Sequence, residues 1–150
     1  MQQNRQPELS SKQARIIDAN INRLTEGLRV IEDIIRFGLE DEPLLARIRN
    51  LRIRLSKKIA PLRRAVISSR SSESDAGRSD RFDRMKRRGL EDVLTANFKR
   101  SEEAARVLEE MLKLEYTKDR RRYASFFKQL RFTLYSLEKR ALARLEQLRA

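Results

Sequence analysis

Residues 19–32, ANINRLTEGLRVIE, return as residues 96–109, ANFKRSEEAARVLE. At a constant offset of 77, Ala19, Asn20, Arg23, Glu26, Arg29, Val30 and Glu32 meet Ala96, Asn97, Arg100, Glu103, Arg106, Val107 and Glu109. The segments that follow also correspond, with Leu51, Arg52 and Leu55 matching Leu130, Arg131 and Leu134 at an offset of 79. Each half therefore reads as one helical hairpin. A duplicated hairpin predicts an all-α helical bundle whose two copies face one another about a pseudo-two-fold axis.

Working outward, Ile16, Ile17, Ile21, Leu24, Leu28, Ile31, Ile34 and Ile35 recur at three-and-four spacing and predict a helix over 12–39, closed by Gly38 and Pro43. A second helix is expected from Pro43 to about Ile67, bent in its last turns by Pro61. Residues 68–80, SSRSSESDAGRSD, have no apolar period and predict a linking loop. A short basic helix is expected at 80–88, a fourth at 90–115, and a fifth from Thr117, as N-cap, to Leu148. Residues 1–10 are expected to be a flexible arm. The remainder, 11–150, reads as a single helical domain with halves at 11–67 and 81–150.

The chain has 150 residues, 35 Lys plus Arg against 22 Asp plus Glu, and a net charge of +13, which excludes a large multidomain enzyme and favours anionic partners. Four Gly and three Pro are too few for a turn-rich β-sandwich. The absence of Cys and His removes disulfides, thiolate nucleophiles, most zinc sites and the usual neutral-pH base. No apolar run exceeds three residues, so neither a membrane span nor a signal-peptide centre is expected, and the chain reads as cytoplasmic.

Helical stepping puts Asn20 and Asn97 on the apolar faces of their helices, where an unsatisfied amide costs about 1–3 kcal/mol. They either fix helix register or line a polar pocket, with Arg23 and Arg100 at its edge and the small Gly27 and Ala104 leaving room for a ligand. Arg23–Glu26 and Glu103–Arg106 are equally readable as surface pairs, as are Arg29, Glu32, Arg106 and Glu109. Between Arg47 and Arg64 stand eight basic residues and no acidic one, either a solvated face or a polyanion contact. Arg70, Asp75 and Gly77 mark the central loop, which reads as a plain linker unless its Gly admits a phosphate and its Asp a Mg²⁺.

The stretches Ile17–Asp33, Ser69–Gly77, Thr95–Glu110 and Leu130–Glu138 together resemble the small family of hydroxymethylpyrimidine phosphate kinases of thiamine biosynthesis, over about residues 14–140. Members occur alone or fused in front of thiamine phosphate synthase. With no synthase barrel here, the resemblance implies the standalone form. Two loop positions, Ser71 and Ala76, depart from the family pattern.

The resemblance implies ATP and Mg²⁺ as cofactors and phosphorylated small molecules as substrates. It implies catalytic roles for Arg23, Arg100, Arg70 and Asp75, and substrate contacts from Asn20, Asn97, Glu26, Glu103, Lys99, Gly77, Arg29 and Arg106. Asp75, Glu26 and Glu103 are the candidate metal ligands. Thiamine phosphate synthase is an implied partner, and a homodimer stays open. The rival readings are a non-enzymatic basic module binding RNA or an acidic partner, although no nucleic-acid-binding signature is recognisable, and an accessory domain of the synthase. Replacing Arg23 or Arg100 by Ala is expected to cut turnover by orders of magnitude at unchanged helical content; full activity in both variants would remove them from the site.

Overall fold

The computed structural model describes residues 10–79, 86–114 and 119–150, which form four long helices and, among the described residues, no strand. Helix α1, Ser11–Asp33, starts at a capping box: the Gln13 amide donates to Ser10 Oγ at 3.2 Å and the Ser10 amide to Gln13 Oε1 at 3.0 Å. Ser10 thus belongs to the helix start rather than to a loose arm, whose residues 1–9 lie outside the described set. A π-helical turn, Ile34–Leu39, follows directly and keeps Ile34, Ile35 and Leu39 in the core, so the expected helix over 12–39 changes hydrogen-bond register part-way. Left-handed Glu40 ends it, and Asp41 caps α2, Glu42–Val66, by accepting from the Leu44 amide at 3.0 Å.

Helix α2 runs through Pro61 to Val66 and ends in a 3₁₀ turn, Ile67–Ser69. Short turns at 73–74 and 76–77 punctuate the loop over 70–79. Of the expected basic helix at 80–88, residues 80–85 lie outside the described set and 86–88 are not helical. Helix α3 spans Leu90–Met111. Helix α4 spans Arg120–Arg149 behind a left-handed Asp119 that makes no side-chain cap; the expected N-cap, Thr117, lies outside the described residues.

Each helix sinks one apolar stripe into a common core, from Ile17, Ile21, Leu24, Leu28 and Ile31 on α1 to Phe127, Leu130, Leu134 and Leu137 on α4. Full burial of such a side chain contributes about 1.5–3 kcal/mol. Helix α1 packs chiefly on α3, with α2 beside α1 and α4 beside α3. The α1/α3 pair is antiparallel: Gly27 lies against Asn97 and Ser101, and Gly38 against Leu90. A Cβ on Gly27 would stand 2.3 Å from Ser101 Oγ and 3.2 Å from the Asn97 carbonyl oxygen, so the close approach of the two helices depends on this glycine.

Carboxylates buried in the helix faces tie the hairpins. Glu32, 2% exposed, accepts from Arg49 Nε at 2.9 Å and from Arg52 Nε at 2.5 Å across the first hairpin. Burial pushes its pKa up, but the bonds from Arg49 and Arg52 outweigh this and hold it below the ordinary carboxylate value. Glu109 accepts from Arg131 Nη2 at 3.0 Å across the second hairpin. Glu32 and Glu109, which the sequence suggests are solvated, are instead covered by the partner helix. Arg29 and Arg106 flank them as exposed ion pairs, Arg29 at 3.9 Å from Glu32 and Arg106 at 3.3 Å from Glu109.

A third cluster exists only in the second hairpin. Lys99 Nζ bridges Glu102 Oε1 at 3.1 Å and Glu138 Oε1 at 2.9 Å. Glu102 is 3% exposed, and its Oε2 and that of Glu138 are buried without a donor. Burial first, and then the Glu138 carboxylate, push Glu102 up to about 7, while its bonds to Glu138 and Glu102 push Lys99 up to about 12.

Two stability predictions follow from this packing. Gly27→Ala should lower Tm: overpacking costs about 1–3 kcal/mol against the roughly 1 kcal/mol that Ala gains over Gly in a helix. Removing the obstructing hydroxyl in Gly27→Ala/Ser101→Ala should restore most of the loss, and a double mutant no better than the single one would refute the contact. Because folding raises the Glu102 pKa above its unfolded value near 4.5, its contribution is complete below about pH 4.5 and is lost as pH rises through about 7. Subtracting the Tm–pH curve of Glu102→Gln from that of the wild type should expose this decline between pH 5 and 7. Parallel curves would exclude Glu102 as its source.

Candidate functional site

Asp18 follows Ile17 on the buried side of α1 and is 3% exposed, so its carboxylate needs a partner. Arg70, the first residue past the 3₁₀ turn, supplies it. Its Nε donates to Asp18 Oδ2 and its Nη2 to Asp18 Oδ1, both at 2.8 Å. This bidentate fork pins the start of the loop to the first helix across 52 residues of sequence. The bond to Asp18, then that residue's charge, and more weakly the charge of Glu26 raise the Arg70 pKa above its ordinary value.

The loop beyond is folded on itself. Arg15 Nη2 donates to the Ser71 carbonyl at 3.3 Å, the hydroxyls of Ser71 and Ser74 share a hydrogen bond, and the Gly77 amide donates to Asp75 Oδ1 at 2.8 Å. Gly77 does not occupy the left-handed region. Between loop and helix lies a cleft of about 390 Å³ lined by Lys12, Arg15, Asn22, Ser71, Ser72 and Asp75, with the Asp18–Arg70 pair in its wall. Asp18 is already matched by Arg70, which leaves Lys12 and Arg15 as cations facing an incoming anion, with two serine hydroxyls and an amide beside them.

Of the residues singled out from the sequence, Arg70 and Asp75 line this cleft, and Gly77 braces Asp75. Asn20 and Asn97 each donate Nδ2 to a carbonyl one turn back in their own helix, Ile16 and Val93 respectively, at 2.8 Å. Asn20 is buried and Asn97 half-buried. Arg23 Nη1 reaches Asn20 Oδ1 at 3.5 Å. The antiparallel α1/α3 register separates Asn20 from Asn97. Asn97 passes Gly27, and Asn20 lies two turns away along α1, about 10 Å at 1.5 Å per residue.

Glu26, Arg100 and Glu103 are exposed and outside the cleft. Arg23 and Glu26 form no pair, and Arg106 turns to Glu109 and Glu110 rather than to Glu103. Lys99, Arg29 and Arg106 serve the ion clusters described above. Among the described residues no three carboxylates gather as a metal cluster. Asp75 still suits Mg²⁺, which commonly takes one or two carboxylates together with the phosphates of its substrate.

The residues that the sequence reading left without a role are Asp18, Lys12, Arg15 and Asn22. For Asp18 there was a signal, because an acidic side chain between Ile17 and Ile21 on an apolar face requires a cation from elsewhere in the chain.

A second cavity, of about 560 Å³, opens between α1 and α2 and is lined in part by Arg29, Arg52, Arg63 and Arg64. No helix among the described residues is long and apolar enough to cross a membrane.

Comparison with known proteins places this geometry. The family model described as the ThiD2 family matches residues 15–140. A thiamine-phosphate synthase of Nostoc punctiforme is 41% identical over 125 residues, and one of Thermosynechococcus vestitus is 42% identical over 125 residues; each alignment covers 83% of this chain and 34% of the relative. A thiamine-phosphate synthase of Prochlorococcus marinus is 36% identical over 126 residues, again 83% of this chain and 34% of the relative. The chain thus spans about a third of the length of these curated relatives. No solved structure matches it. The matched segment runs from Arg15, at the rim of the cleft, through both hairpins to Arg140, and on that evidence the chain belongs to the ThiD2 family.

Proposed function

We propose that this chain is an ATP-dependent kinase of thiamine biosynthesis that phosphorylates 4-amino-5-hydroxymethyl-2-methylpyrimidine phosphate to the diphosphate, and that the phosphate of the pyrimidine binds in the cleft between α1 and the 70–77 loop. The observation that carries the reading is the latched loop itself. The Asp18–Arg70 fork holds a serine-rich turn over Lys12 and Arg15, forming a small basic cleft that, apart from Lys12, lies in the segment shared with the family.

The chemistry suits a chain without histidine. The second pKa of a phosphomonoester lies near 6, so at neutral pH the attacking oxygen is already anionic and needs no base. That oxygen bonds to the γ-phosphorus of ATP while the bond from the γ-phosphorus to the β–γ bridging oxygen breaks, and ADP leaves with the electron pair. What the protein supplies is position and charge neutralisation. Lys12 and Arg15 neutralise the acceptor phosphate. The Ser71 and Ser72 hydroxyls and the Asn22 amide orient it. Asp75 would hold Mg²⁺, which shields the negative charge shared by the two reactants. Asp18 is a positioning residue that acts through Arg70.

A second reading has support in the names of the relatives: a domain that assists a thiamine-phosphate synthase without chemistry of its own. Incubating the protein with Mg·ATP and the pyrimidine phosphate separates the two. Mass spectrometry should find the diphosphate, and its absence at any enzyme concentration would favour the assisting domain. Arg70→Ala should lower kcat/KM by about 10²–10³. Asp18→Asn should lower it less and mainly through KM, because the loop is loosened while the cations remain. Arg23 and Arg100 stand outside the cleft, so their Ala variants in the same assay rank the two guanidinium sets. Unchanged turnover in Arg70→Ala would overturn the placement.

A further inference from the structure

We propose that the groove between α1 and α2, built on Arg63 and Arg64, binds the polyphosphate chain of a nucleoside triphosphate; the assignment of this nucleotide as phosphoryl donor rests on the kinase reading above, but its binding does not. The groove holds about 560 Å³ and carries four guanidiniums, from Arg29, Arg52, Arg63 and Arg64. The carboxylates that meet them are at one end: Glu32 bonds Arg52 and lies 3.9 Å from Arg29, which also pairs with Asp33 at 3.8 Å.

Among the described residues no carboxylate pairs with Arg63 or Arg64 at the other end. Arg63 Nε is buried with no acceptor, and Arg63 Nη2 has only a 3.5 Å contact with the Thr25 hydroxyl. A buried guanidinium donor without an acceptor is a place for an anion. From Arg52 to Arg63 the groove follows one face of α2 for about 16 Å, with Ile59 and Ala60 as an apolar floor between the charged ends. A single phosphate would leave most of that length empty, whereas a nucleotide with a chain of phosphates fills it.

The second hairpin provides an internal control. The residues of the ion-pair frame, Arg29, Glu32 and Arg52, recur there as Arg106, Glu109 and Arg131. The residues of the groove do not recur. Arg63 and Arg64 correspond to Leu142 and Ala143, Ser56 to Tyr135, and Thr25 and Ile59 to Glu102 and Glu138. A hairpin of this kind therefore folds without the paired arginines, and their presence in the first copy asks for a separate reason.

The groove also adjoins the cleft. Thr25, in the groove, donates its hydroxyl to the carbonyl of Asn22, in the cleft wall, at 3.1 Å. The nearest lining residues of the two cavities, Asn22 and Thr25, are one helical turn apart along α1, and the Arg63–Arg64 end of the groove is the one closer to the cleft.

The test uses the full chain and isothermal titration with β,γ-methylene-ATP, inorganic tripolyphosphate and the pyrimidine monophosphate as separate probes. Arg63→Leu/Arg64→Ala, which copies the second hairpin, should keep its helical signal and bind both polyphosphate probes at least tenfold more weakly, with the monophosphate unaffected. Arg70→Ala should show the reverse selectivity. Should the double variant unfold, the exposed Arg64→Ala alone must still weaken the analogue several-fold. Wild-type affinity in these variants, no binding of either polyphosphate to the wild type, or a short RNA that displaces the analogue and binds more tightly than it would each overturn the assignment. Analogue binding that depends on Arg63 and Arg64 in a protein that forms no diphosphate would leave the groove standing and remove the kinase reading. Product formation with an unchanged KM for ATP in the double variant would do the opposite.

Discussion

A carboxylate sunk into the apolar face of a helix needs a cation, and three that take theirs from another segment organise this molecule. Glu32 draws Arg49 and Arg52 of α2 onto α1, and Glu109 draws Arg131 of α4 onto α3. Asp18 draws Arg70 and with it the start of the central loop. The first two fix how the helices of each hairpin face one another. The third is absent from the second copy, where Thr95 stands at the corresponding position, and it is the one that makes a cleft. Apolar burial supplies the drive to fold, but it does not say which polar side chains end up side by side; the buried acids do.

The repeat was sufficient to read the architecture, because both hairpins show the three-and-four spacing of apolar residues and because the duplication itself is visible at offsets of 77 and 79. The boundaries were less legible. Ile34–Leu39 continues the apolar pattern of α1, yet its hydrogen bonds widen into a π turn, a change that no periodicity records. Helical stepping placed Asn20 on the core side as observed, but an angle on a wheel does not name a partner, and the amide found one in the carbonyl of Ile16. The same restriction hid the burial of Glu32 and Glu109. At the edge of one helix each resembles a solvated residue, and only the helix laid across it turns the edge into an interior.

The expectation of a single site formed by twin Asn and Arg sets depended on the direction in which α1 and α3 pass. They run antiparallel, with Gly27 at the Asn97–Ser101 turn, so Asn20 and Asn97 are held apart along the axis. Neither Asn20 nor Asn97 lines the loop cleft or the arginine groove. The repeated residues Arg29, Glu32, Arg106 and Glu109 pair within their own helices, and the two glutamates also accept from arginines of the adjoining helix.

Differences between the copies consequently say more about function than their likenesses. Where the first hairpin has Thr25, Ile59, Arg63 and Arg64 around an open groove, the second has Glu102, Glu138, Leu142 and Ala143, with Lys99 closing on the two glutamates. One copy thus holds Arg63 and Arg64 without a described carboxylate partner, and the other gathers two carboxylates on a shared cation. In the kinase proposed above, which would bring two polyanions together, such unmatched arginines would concentrate positive charge beside the phosphates. Divergence at the groove positions, with the ion-pair frame left intact, places Arg63 and Arg64 on the first hairpin without disturbing the packing that holds it.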